Sequence, residues 1–195
     1  KKDNLNLNLE QAKLLENRHK SFVRSGANLS ATDKDKLRKI NAELSITALK
    51  YGQNILAETN KYELVISDKK ELDGLPSQLI EAAAADAKSK GKEGKWVFTL
   101  SNSSVMPFLQ YSSNRKLRQE IWNAYQLRAN NGNEFDNKEN VIKLANLRGE
   151  KARLLGYKSH SDYVLEESMA KKTENVSKLL NDLWKPALEI AKVES

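Results

Sequence analysis

The strongest constraint in this sequence is the stretch 114–163, where two helical patterns follow one another with only an Asn-rich turn, ANNGNEFDN, between them. In the first, Leu117, Ile121, Ala124 or Tyr125, and Arg128 recur at three- and four-residue steps, while Arg118, Glu120 and Gln126 take the opposite face. That spacing matches the helical repeat and gives one apolar stripe and one solvated face. In the second, Val141, Leu144, Ala145, Ala152 and Leu155 repeat the pattern, and Gly156 stands where a helix ends in a left-handed residue. Two such helices on so short a turn make a helical hairpin the expected unit.

The flanking sequence extends this reading in both directions. Leu5, Leu7 and Leu9 alternate with Asn as a short extended lead into a helix over 10–24, with Leu14, Leu15, Phe22 and Val23 as its apolar positions. Ser30 or Thr32 can cap a long helix in which Leu37, Ile40, Leu44, Ala48, Tyr51 and Ile55 hold the period for about six turns. Residues 61–67 and 95–100 are β-branched and aromatic, so each predicts a short strand. Pro76 opens an Ala-rich helix between them that Gly91 ends, and the strand direction stays open. Met106, Phe108, Leu109 and Tyr111 predict a core edge around Pro107.

A last helix from Thr173 carries Val176, Leu180, Leu183, Ala187 and Ile190 on one face, with a kink expected at Pro186. Its pattern still runs at Val193 with no stop signal, which predicts that the natural polypeptide continues past Ser195. The fold class expected is mainly α, with long antiparallel helical hairpins and one small two-strand β element, in a single helical domain over 1–195.

Charge and composition narrow the function classes. The net charge is +7 in 195 residues, which invites a nucleic-acid reading. Basic residues are interleaved with Asp and Glu along nearly every helix, as in Asp33-Lys34-Asp35-Lys36, so a solvated mixed-charge surface is the preferred account. There is no cysteine, which excludes disulfides, thiolate metal sites and cysteine nucleophiles. No apolar run reaches the length of a membrane span. The compartment is open between cytoplasm and periplasm.

Residues able to do chemistry are few and scattered. His160 lies beside Asp162 and Tyr163, where a His-carboxylate pair is conceivable, but local hydrogen bonding at a helix cap is the expected arrangement. His19 reads as a surface residue of the first helix, and the two histidines build no metal site by themselves. Glu166 with Glu167, and Glu63 with Glu71, have nothing to bring them together as an acid-base pair. Lys88, Lys90, Lys92 and Lys95 could touch phosphate but fit a cation-rich helix end and turn. Trp96, Trp122 and Trp184 are expected in the core or at its rim. The N-x-S triplets at Asn28, Asn102 and Asn175 carry no assigned function.

Several ordered fragments nevertheless have a likeness: Tyr62-Glu63-Leu64-Val65, Asn114-Arg115, Leu154-Leu155-Gly156-Tyr157 and Ser168-Met169-Ala170. With their surroundings, from about Leu29 to Glu194, they resemble the middle of the oligopeptidase A, thimet oligopeptidase and peptidyl-dipeptidase family of zinc metallopeptidases, with the peptidyl-dipeptidase branch as the nearest expected likeness. The resemblance implies a helical half facing a catalytic half across a channel that admits short, extended peptides. It also implies zinc held by an H-E-x-x-H helix whose Glu serves as general base. Neither histidine here is followed by Glu, so the expectation is a non-catalytic portion with no catalytic or metal residues of its own, substrate contacts unknown, and zinc supplied by the longer parent. The partners implied are short peptides and the remainder of the parent chain, with no membrane and with self-association of an uncovered apolar face. The alternative from another class is a free-standing helical binding module, in its sharpest form a nucleic-acid binder.

Overall fold

The computed structural model describes residues 6–194. Leu5 of the alternating lead, and Ser195 at the end, lie outside the described residues. Among the described residues there are eight α-helices and one antiparallel two-stranded sheet, so the mainly helical class with a small β element holds. The chain divides into two compact units, one made of residues 47–142 and the other of 1–46 with 143–195.

The 47–142 unit is built around the sheet. Strand β1 (Leu64–Ile66) pairs antiparallel with β2 (Trp96–Phe98), with Leu64 opposite Phe98 and Ile66 opposite Trp96. Antiparallel pairing settles the direction left open by the sequence and needs no handed crossover. Between the strands lie a 3-10 turn (Lys69–Leu72) and helix α3 (Ser77–Ser89). The strands are shorter than 61–67 and 95–100 because only the central residues find ladder partners.

Helices α4 (Asn102–Tyr111) and α5 (Arg115–Gln126) close the core. Ile66, Phe98, Leu100, Val105, Phe108 and Ile121 are fully buried, and the Phe98 and Phe108 rings meet edge to face with centroids 4.7 Å apart. Ile121 enters with Leu117, Ala124 and Tyr125 beside it, as the spacing of α5 predicts. The expected edge at Met106 and Tyr111 is corrected. Both are more than two-fifths exposed, and Val105 takes the inward place with Phe108, three residues on and so on the same helix face. Gly74 is required where it stands: its φ is +82°, and a Cβ there would sit 2.3 Å from Tyr111 O.

Helix α2 (Ala31–Lys61) and helix α6 (Lys138–Leu154) each contribute residues to both units. In the 47–61 half of α2 the buried side chains are Thr47, Asn54 and Glu58, whereas Ala48 and Tyr51 are exposed. This corrects the apolar stripe expected there: polar residues, Asn54 and Glu58 among them with hydrogen-bond partners, have taken the inward positions. In α6, Leu144, Leu147 and Ala152 are buried while Val141 and Ala145 are exposed.

The other unit has a thinner core. Helix α1 (Leu9–Arg24) starts in a capping box, in which Asn8 accepts from Gln11 N–H and the Gln11 side chain accepts from Asn8 N–H. Neither α1 nor helix α7 (His160–Leu165) nor helix α8 (Thr173–Glu194) has a buried residue. Helix α8 runs unbroken through Pro186. Gly26, at φ +92°, lets Leu37 and Leu29 pack against the end of α1, where a Cβ would lie 2.6 Å from Leu37 Cδ2.

Candidate functional site

The titratable residues are held in separate clusters, each with its own structural account. His19 lies on α1 and His160 opens α7. Among the described residues no group of three or more His, Cys, Asp or Glu side chains gathers to hold a metal ion. His160 does not pair with Asp162. Asp162 is engaged by Ser159, whose hydroxyl donates to its carboxylate at 2.8 Å and accepts its N–H at 3.1 Å. His160 instead stacks on Tyr163 with centroids 6.4 Å apart, and its Nδ1 is buried without a partner. Burial first, then the charges of Arg148 and Lys151, hold its pKa below the ordinary imidazole value.

Glu166 and Glu167 form a clasp with α1 rather than an acid-base pair. Arg24, whose side chain is only 10% exposed, donates to Glu166 and to Tyr163 O, and its guanidinium lies 4.5 Å from the Tyr163 ring centroid. Tyr157 donates to Glu166 at 2.6 Å, and Lys20 reaches the same carboxylate at 3.4 Å. Glu63 binds Lys90 at 2.9 Å and also Lys92, so two of the four clustered lysines are neutralised. Lys88 pairs with Glu93. The basic cluster is therefore no open phosphate cradle.

The most elaborate polar construction, missed by the sequence reading, surrounds Glu58. Its carboxylate accepts from Asn131 at 2.8 Å, from Asn133 at 2.6 Å and from the backbone N–H of Ala129. Burial alone would raise its pKa, but the hydrogen bonds from Asn131, Asn133 and Ala129 outweigh it and leave the pKa lowered. Ala129 sits in the left-handed region at φ +57°, a conformation that a non-glycine residue reaches at a cost of about 1–2 kcal/mol. One helical turn earlier, Asn54 donates to Asn137 Oδ1 at 3.0 Å, and Asn137 donates in turn to Tyr51 O at 3.0 Å. The signal available in the sequence was a run of amides in the 129–137 turn together with an acidic residue in the last turn of a long helix.

Two open clefts flank these elements in the 47–142 unit. One, of about 480 Å³, borders the Glu58 turn and is lined by Tyr51, Ile55, Arg128, Val141 and Ile142 among others. The other, of about 450 Å³, lies along α5 and is lined by Leu109, Arg115, Arg118, Gln119 and Trp122. Arg115, Arg118 or Gln119, and Trp122 fall at three- and four-residue steps, so one exposed helix face presents two cations, an amide and an indole. Of the three tryptophans expected in the core or at its rim, Trp96 packs against the core, while Trp122 at 49% and Trp184 at 65% exposed are not buried.

The model of peptidase family M3 matches residues 108–195. The probable cytosolic oligopeptidase A of Arabidopsis thaliana is 37% identical over 186 residues, covering 91% of this chain and 26% of that protein. Oligopeptidase A of Haemophilus influenzae is 34% identical over 179 residues, covering 90% of this chain and 26% of its own. The dipeptidyl carboxypeptidase of Escherichia coli is 29% identical over 194 residues, with 100% and 28% covered. The two oligopeptidases A are thus the more similar, against the expected nearness of the peptidyl-dipeptidase branch. None of these relatives supports a nucleic-acid-binding module. The chain spans about a quarter of the length of the relatives it matches, and within it residues 108–195 carry the match to peptidase family M3.

Proposed function

We propose that this chain is the non-catalytic helical portion of a zinc-dependent oligopeptidase that cleaves short peptides, and that it forms part of the wall of the substrate channel. The observation that carries the reading is the match to oligopeptidases over nine-tenths of the chain. The α5 cleft suits a wall that meets extended peptides: Arg115 and Arg118 supply charge for carboxylates, Gln119 an amide for backbone groups, and Trp122 and Leu109 apolar contact. Zinc does not fit the residues present. Among the described residues no three His, Cys, Asp or Glu side chains gather as ligands, so the metal's ligands would come from the rest of the longer protein. Substrates are free short peptides, and the compartment is cytoplasm or periplasm.

The test is metal analysis of the isolated chain together with an assay on short blocked peptides. The expected result is neither stoichiometric zinc nor hydrolysis. One tightly bound zinc per chain, or turnover abolished by a chelator, overturns the assignment of a non-catalytic portion.

A further inference from the structure

The Asn-rich turn carries a reactivity that the peptidase reading does not use. Asn131 is followed by Gly132, and a glycine leaves its backbone nitrogen the least hindered approach to the preceding side-chain carbonyl carbon. In a free chain that nitrogen attacks Asn131 Cγ. The N–Cγ bond forms, the Cγ–Nδ2 bond breaks, and ammonia leaves with the proton given up by Gly132 N–H. Water then opens the cyclic imide at either carbonyl, leaving aspartate or isoaspartate.

The fold restrains both nitrogens of that step. Asn131 Nδ2 donates to Glu58 Oε1 at 2.8 Å and to Leu127 O at 3.0 Å, so the leaving group is held by two acceptors. Gly132 N–H donates to Asp136 Oδ2 at 2.7 Å, which turns the nucleophile toward a carboxylate and makes its proton harder to remove. Both residues are otherwise exposed, so water is at hand whenever the turn opens. We propose that Asn131 is a spontaneous deamidation site, with water as its co-reactant, whose rate is gated by Glu58 and Asp136. The change runs one way. Its product sets a carboxylate where Glu58 now receives an amide donor, so a turn that has reacted cannot close again as before.

The test is peptide mapping by mass spectrometry of the whole chain held at neutral pH and physiological temperature, reading the gain of one mass unit at Asn131. Folded wild type should react several-fold more slowly than the same chain unfolded in urea. Asp136→Ala, verified as folded by circular dichroism, should fall between the two. A folded wild-type chain that reacts as fast as the unfolded one overturns the proposal. So does a folded Asp136→Ala chain that reacts no faster than wild type, for it removes Asp136 from the gate.

Discussion

Glu58 shows how one buried charge can organise a turn. The residue is 9% exposed, and its carboxylate satisfies three donors from the segment 129–133, one of them on a residue held in the left-handed region. Replacing it by alanine strands those donors and leaves the strained Ala129 backbone without its compensation. Glu58→Ala is expected to cost about 2–4 kcal/mol, read by urea unfolding. The pH dependence follows from the sign of its shift. The folded pKa lies below the ordinary value of 4.5, so the contribution of Glu58 is complete above that value and is lost as pH falls through the depressed folded pKa. The stability gap between wild type and Glu58→Gln should therefore be constant near neutrality and shrink in acid. A gap that widens in acid contradicts this account.

At the scale of elements, helical spacing located every long helix, because a repeat of about 3.6 residues is a local property of the sequence. Which face turned inward was less legible. The spacing of α5 identified Ile121, whereas α2 buries Thr47, Asn54 and Glu58, and the inward places of Asn54 and Glu58 depend on amide partners more than seventy residues away. The Glu58 site was hidden for the same reason: its donors are distant in sequence and none belongs to a known motif. Helix α8 had the opposite outcome. Its apolar pattern was plain, yet Leu180, Leu183, Trp184 and Ile190 are each at least 57% exposed. Apolar burial is worth roughly 25 cal/mol per Å², so a stripe this broad favours self-association of the isolated chain. Sedimentation across a concentration series should show association that Leu183→Glu with Ile190→Glu abolishes without lowering Tm. A monomer at every concentration removes the argument.

For the molecule as a whole, ordered fragments spread over the sequence carried the family resemblance. The net charge of +7 was a poor guide, since Glu63 and Glu93 take up the lysines that would have made a basic patch. The two units differ in their cores: one closes on Phe98, Phe108 and Ile121, while α1, α7 and α8 of the other bury no side chain. The relatives the chain matches are about four times as long. The most direct test is to replace the matching 179-residue stretch of Haemophilus influenzae oligopeptidase A with this chain and measure hydrolysis of short peptides by the purified, zinc-loaded chimera. The account predicts hydrolysis that a chelator abolishes. A folded chimera that holds zinc but hydrolyses no peptide would contradict it.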